Sequence, residues 1–462
     1  MKLMAKRKED ALAMIPHPSG RGHLICGREA SQRLSRVTSL VFEYAPDLSD
    51  RIDPAKTRKK VVDAFVLRVL TEKRDLDCAT VEAILEDVSA QCRESLAASQ
   101  HFLPCVLFRN GRPDEFSVGP VTFSRRASFF RSRRQWFKDS VEASARSHVA
   151  YVDRAVKDGF PRERAATKDD SRHLVRDLHA SAVKTFRNYP WVATVSVANC
   201  DHKTGAEIAE RAVALAINSI RVILGASYTD GLRLAWFPIN PRRTAKMWAD
   251  SKGCVHVSIS SNADGPVGIE NWYDGLTVSN GAELAICGSA LNALVACAPV
   301  IHLQQRFLDA INWYGDAAAD PEPTARIVKY VSAIERLLFG ARQRETTKQF
   351  ASRLRALWVG FACYEKDIVA VKADKVYRAR SGLLHGSMSP RSKEIRGLVR
   401  QSEELARLCI LCAGRLYPMM IKAYGDPGPE RLENVMMQIQ SDGLDWLARE
   451  AGYEVTSGGG DE

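Results

Sequence analysis

Residues 376–390, VYRARSGLLHGSMSP, decide how this chain of 462 residues is read. Their centre is Arg380-Ser-Gly-Leu-Leu-His385, an arginine and a histidine separated by four residues. Helical patterns lie on both sides. Residues 324–339 place Ile327, Tyr330, Val331, Ile334 and Leu338 on one helical face, stopped by Gly340. Residues 346–361 repeat the pattern with Phe350, Leu354, Leu357, Trp358 and Phe361, and 366–377 form a third, shorter helical stretch that leads into the motif. Ser389-Pro390 reads as the start of the last helix, a serine cap with proline in the first turn, where no amide hydrogen is needed. That helix would run to about residue 420, burying Ile395, Leu398, Val399, Leu405, Cys409, Cys412 and Leu416. Together these elements predict a helical bundle over 320–425.

The two polar residues at its centre have complementary chemistry. An imidazole changes charge near neutrality, so His385 can take a proton and return it. Arg380 keeps its proton and presents a fixed fork of donors to phosphate oxygens. RNA carries its own nucleophile, the 2′-hydroxyl. A base beside it and a cation against the phosphorane suffice for cleavage, leaving a 2′,3′-cyclic phosphate and a 5′-hydroxyl. DNA lacks that hydroxyl and would be spared. Five positions apart on a helix, the two side chains point about 140° away from each other. One of them therefore sits outside regular helix, or a second copy of the motif completes the site.

Three further features travel with the pair: Tyr377 three positions before the arginine, the run Arg-Ser-Gly-Leu-Leu-His-Gly, and the upstream helix segment Ala333-Ile-Glu335-Arg-Leu-Leu. Together they closely resemble the Apea-like group of HEPN domains over about residues 320–420, roughly a fifth of the chain. The resemblance implies that Arg380 and His385 are a catalytic pair in a metal-independent endoribonuclease. It also implies a symmetric dimer through the bundle, with both pairs in one cleft. Ser381 stands where active members often carry Asn, Asp or His, a departure that leaves one hydrogen-bond donor in place. Glu335 is expected to orient Arg380 or its partner, against a plain surface ion pair. Tyr377 is expected to stack on a base or orient phosphate, against simple packing, and Arg378 to contact the nucleic-acid backbone, against an exposed charge. The alternative for the whole domain is a non-catalytic HEPN scaffold for dimerisation or RNA binding, with Arg380 and His385 in structural bonds.

Charge distribution agrees with a polyanionic partner. The formal net charge is +11, and residues 321–420 hold 19 Lys and Arg against 9 Asp and Glu, an excess of +10. Eleven cysteines without a secretory leader suggest buried thiols in a reducing, cytoplasmic setting. Cys409-x-x-Cys412 lacks a second pair, and Cys200/His202 and Cys254/His256 have strand-like spacing, so no metal or other cofactor is expected. Residues 284–301 carry no charge over 18 positions, but Gly288, Ser289, Asn292 and Pro299 interrupt them. A buried core helix is the reading, with no membrane contact.

The rest of the chain carries fewer signals. Residues 1–32 read as a loose arm and 37–44 as a strand. Helical periodicity follows at 56–70 and at 80–97, where Val81, Ile84, Leu85, Val88 and Cys92 recur. Runs 102–108 and 116–123 flank Asn110-Gly-Arg-Pro113 and suggest a strand pair. Residues 125–137, RRASFFRSRRQWF, could grip a nucleic-acid backbone and stack on bases. The preferred reading is an amphipathic helix start, with aromatics packed inward and arginines solvated. A helix is expected at 173–186, a strand at 191–198, a strong helix at 206–224, strands at 232–237 and 255–259, and a final helix at 430–451. No phosphate loop, dinucleotide fingerprint or zinc-protease helix is present. The expected fold is multidomain α+β: mixed α/β N-terminal and middle regions followed by an all-α HEPN-like bundle. The segments are a small mixed domain at 1–124, a helical connector at 125–186, a mixed domain at 187–318, the bundle at 320–425, and a helix with an acidic tail at 426–462. The functional expectation is a toxin or antiviral effector whose residues 1–318, or a separate inhibitor protein, restrain the C-terminal ribonuclease.

Overall fold

The computed structural model describes residues 11–16, 23–75, 77–157, 167–229, 231–235, 243–249, 255–261, 271–298, 301–340, 346–361 and 366–453. It begins with a hairpin, β1 (Ala11–Pro16) and β2 (His23–Gly27), where the sequence suggested a loose arm. Then come α1 (Arg28–Tyr44), α2 (Pro54–Phe65) and α3 (Cys78–Glu94). Next are β3 (Ala97–Val106), β4 (Glu115–Val118), β5 (Val121–Arg125), α4 (Arg126–Ser132), α5 (Arg134–Lys157) and α6 (Lys168–Phe186). The middle holds β6 (Trp191–Cys200), α7 (His202–Leu224), β7 (Arg233–Leu234), β8 (Arg243–Ala249) and β9 (Val255–Ser261). Among the described residues, helices alone follow: α8 (Trp272–Thr277), α9 (Gly281–Val295), α10 (His302–Ala319), α11 (Pro323–Leu338), α12 (Thr346–Phe361), α13 (Lys366–Leu384), α14 (Ile395–Tyr424), α15 (Pro429–Asp442) and α16 (Leu444–Glu450). The fold is thus a mixed α/β region followed by an all-α helical bundle.

Two compact units divide these elements. The first comprises residues 1–101, 126–188 and 196–209; the second comprises 102–125, 189–195 and 210–462. In the first unit α1, α2 and α3 bury Leu34, Val41, Leu48, Val61, Phe65, Ile84 and Val88 in one core. Residues 37–44, expected as a strand, form the last turns of α1, because Ala30, Leu34, Thr38 and Val41 make a buried stripe of helical period. Asp53 and Asp77 cap α2 and α3 by accepting the N–H groups of Ala55 and Thr80. The helices α5 and α6 pair, with Arg176 on Glu142 at 2.6 Å.

In the second unit the sheet order is β4-β5-β6-β3-β7. The runs 102–108 and 116–123 contain strands, but these do not pair with each other. β4 pairs with β5 through Phe116↔Phe123, β5 with β6 through Phe123↔Ala193, and β3 with β7 through Cys105↔Leu234. Trp191 explains this insertion of β6: its ring is fully buried, its Nε1 donates to Phe108 O at 2.9 Å, and Arg125 lies over it at 4.3 Å. The uncharged stretch at 284–301 contributes α9, whose Gly288 meets Gly119 so closely that a Cβ there would lie 2.8 Å from Gly119 Cα. The small residues of this stretch serve backbone approach, and no described helix is long and apolar enough to cross a membrane.

The bundle core holds the described residues the sequence nominated except Val399, which is only half-buried. Ile327, Tyr330, Val331, Ile334 and Leu338 of α11, Phe350, Leu354, Leu357 and Trp358 of α12, and Ile395, Leu398, Leu405, Cys409, Cys412 and Leu416 of α14 are all buried. The Phe361 side chain lies outside the described residues. Arg353 and Glu433 tie α12 to α15 at 2.5 Å. Two boundaries differ from expectation. Helix α14 starts at Ile395 rather than at Ser389-Pro390, because Ser389 Oγ accepts from the Arg391 N–H and Ser392 Oγ from the Glu394 N–H, two serine turns that compete with helix. The stretch 430–451 splits into α15 and α16 at Gly443, which has φ +78°.

Candidate functional site

The motif sits at the C-terminal end of α13, which continues seven residues beyond the expected end at 377 to reach Leu384. Ala373, Val376, Tyr377 and Ala379 face the core. Arg380 follows on the edge of that buried face and remains helical. His385 is the first residue past the helix; its backbone N–H donates to Ser381 O at 2.9 Å, so its direction still follows helical geometry. Gly386 then turns the chain with φ +75°, and Met388 N–H donates to Gly382 O at 3.0 Å. A Cβ on Gly382 would lie 3.0 Å from Met388 Cβ, so glycine at 382 lets this turn fold back.

Three of the nominated residues converge. Glu335 of α11 accepts from Arg380 through one carboxylate oxygen and from Tyr377 Oη through the other, each at 3.0 Å. The Arg380 guanidinium carbon stands 5.6 Å from the centre of the Tyr377 ring, which also packs against Phe350 at 4.8 Å. Arg380 and Glu335 side chains are each 23% exposed. Arg380 thus gives Glu335 one of its five N–H donors, while its Nε is buried without a partner. The carboxylate fixes the guanidinium at the bundle edge and leaves donors for an oxyanion.

The other nominated residues lie on a different side. His385 is exposed and, among the described residues, makes no side-chain hydrogen bond, to Arg380 or to any other group. At 100° per residue, His385 falls on the helical face of Val371, Lys375 and Arg378, about 140° from Arg380. Arg378 is exposed and pairs with Asp374 of the same helix at 2.8 Å. Ser381 is half-buried between the two faces. A single chain therefore orients the arginine and presents the histidine but does not bring the two into contact.

A cationic stretch beside the motif did not stand out as a binding feature. Arg391, Lys393, Arg396 and Arg400 occupy the turn after the motif and the first turns of α14, all exposed. None forms an ion pair among the described residues, whereas Arg336, Arg353, Arg378 and Arg380 of the same bundle all do. The signal was present as four basic residues within ten positions of Ser389-Pro390, but sequence does not distinguish paired from unpaired charge.

The metal readings find no support among the described residues, where no group of three His, Cys, Asp or Glu is placed to hold an ion. Cys409 and Cys412 are buried in α14, and burial pushes both thiols up, Cys412 to about 11. Cys200 is buried while His202 is exposed. Cys254 and the His256 side chain lie outside the described residues. No family model, curated protein or solved structure matches the chain.

Proposed function

We propose that the C-terminal bundle is an Apea-like HEPN domain and a metal-independent endoribonuclease, with His385 as proton-transfer group and Arg380 as the cation on the scissile phosphate. One observation carries the reading: Glu335 and Tyr377 hold Arg380 with donors to spare, one helical turn before a histidine that is solvent-exposed and has no side-chain bond among the described residues. In the first step the imidazole takes the 2′-hydroxyl proton and the 2′-oxygen bonds to phosphorus. The bond from phosphorus to the 5′-oxygen then breaks, and that oxygen leaves with a proton from an imidazolium. Arg380 neutralises charge on the equatorial oxygens as the phosphorane forms. The unpaired cations at 391–400 would track the RNA backbone.

The separation of Arg380 from His385 within one chain supports completion of the site by a second copy. Val371, on the helical face of His385, is 69% exposed, and neighbouring Ile368 is 50% exposed, an apolar surface suited to a partner helix. The same separation favours the second reading, a dimerisation or RNA-binding scaffold without cleavage. A restraining role for the first 318 residues, or for a separate inhibitor, and service as a toxin or antiviral effector belong to this proposal.

Incubating the purified chain with a mixed RNA pool in EDTA, beside His385→Ala and Arg380→Ala, tests it. Metal-independent cleavage ending in cyclic phosphate, lost in both variants, is the expected result. RNA binding without cleavage, unchanged by loss of His385, would select the scaffold.

A further inference from the structure

An open pocket of about 670 Å³ lies in the first unit, between α4, the start of α5 and the end of α6. Arg126, Phe130, Arg131, Arg134, Phe137 and Arg187 line it. Its volume falls within the roughly 300–1,000 Å³ of small-ligand sites. The aromatic residues of 125–137 do pack inward as an amphipathic helix requires, with Phe129 fully buried and in contact with Phe130 and Phe137 at 5.2 and 5.9 Å. Phe130 and Phe137 are only half-buried and form the apolar floor of the pocket.

The rim is cationic and uncompensated. Arg131, Arg134 and Arg187 are exposed and, among the described residues, form no ion pair or hydrogen bond through their side chains, while Arg126 donates to the Arg187 carbonyl. Lys138, one turn beyond Arg134 on α5, and Lys184, one turn before Arg187 on α6, are also exposed and have no acidic partner among the described residues. The nearest acid of α5, Asp139, accepts from Gln135 at 3.0 Å. Cations therefore continue past both sides of an aromatic floor, over a track longer than one phosphate.

We infer that this pocket binds single-stranded nucleic acid, one base against Phe130 and Phe137 and the flanking phosphates on Arg131, Arg134 and Arg187. Aromatic floors accept any base face, and guanidinium rims match phosphate oxygens, the combination found where single strands are held without sequence preference. The site stands in a different unit from Arg380 and His385, and it does not depend on cleavage.

The test uses the full chain and a fluorescein-labelled, 2′-O-methyl RNA 15-mer, which cannot be cut through a 2′-hydroxyl. Anisotropy is read for wild type, Arg131→Glu/Arg134→Glu, Phe137→Leu, and Arg396→Glu/Arg400→Glu as a control in the bundle. The inference predicts at least about tenfold weaker binding for the α4–α5 charge variant. Its log-affinity against log-salt slope should be shallower by about 1.4, from two lost phosphate contacts. Phe137→Leu should weaken binding about fivefold or more with that slope unchanged, and a 4-thiouridine version of the strand should crosslink within residues 126–138. Undiminished affinity in the charge variant, or crosslinks confined to the bundle, would overturn it. So would equal competition by polyglutamate of the same charge, since that marks a general polyanion surface. If only the bundle control loses binding, the ribonuclease reading survives and the pocket does not; the reverse pattern supports the pocket alone.

Discussion

Arg353 and Glu433 meet where both are nearly sealed from water, their side chains 1% and 10% exposed, whereas Arg380 and Glu335 are each 23% exposed at the bundle edge. Both pairs join two helices of one bundle. In the first, Arg353 donates to both Glu433 oxygens and to Leu338 O, and its guanidinium lies 4.8 Å from the Phe339 ring centre. Glu433 also accepts the Gly340 N–H at 2.6 Å. Both terminal nitrogens of Arg353 are thus bonded within the fold, although its Nε, like that of Arg380, has no partner among the described residues. In the second, one donor meets Glu335 and others are left over. The same residue types thus give a sealed bond network inside the bundle and, at its edge, a partly exposed cation with only one donor engaged among the described residues.

Removing half of the sealed pair sharpens this contrast most. Glu433→Ala leaves a buried guanidinium uncompensated and should cost about 3–5 kcal/mol in guanidinium unfolding, while Arg353→Met with Glu433→Leu should recover a large part of that loss. Next comes the exposed histidine. His385→Ala should change stability by no more than about 0.5 kcal/mol yet lower RNA cleavage at least about a hundredfold, a separation that paired melting and cleavage assays would reveal. Glu335→Gln keeps the shape of the edge cluster but removes its charge. It should cost about 1 kcal/mol of stability and about tenfold in cleavage, since Arg380 loses its alignment rather than its charge. Arg378→Ala is the smallest. Its pair with Asp374 is exposed and should be worth about 0.3–0.5 kcal/mol, with the salt slope of RNA binding shallower by about 0.7.

Much of the bundle was legible because α11, α12 and α14 carry three- and four-residue apolar spacing, and every described nominated core position except Val399 is buried. The Glu335–Arg380–Tyr377 cluster was nominated residue by residue, but its geometry was hidden. The meeting of α11 and α13 depends on packing that no local pattern encodes. The sheet was legible as strands and not as topology: nothing within 102–123 announces that β6, from some seventy residues later, pairs with β5 in place of β3. Val37 and Val41 looked strand-like from their branched side chains, and tertiary burial of one helical stripe overrode that preference. At Ser389-Pro390 the helix-start signature was met by serine turns, which use the same side-chain oxygen to bond the backbone two residues on.

The most direct test of the central claim, that Arg380 of one copy acts with His385 of another, is a complementation assay. Arg380→Ala and His385→Ala chains are co-expressed, purified as mixed oligomers and given RNA in EDTA. Restored cleavage ending in 2′,3′-cyclic phosphate, from two variants that are each silent alone, is the predicted result. A mixture as inactive as either parent, beside a wild type that cuts, would contradict it.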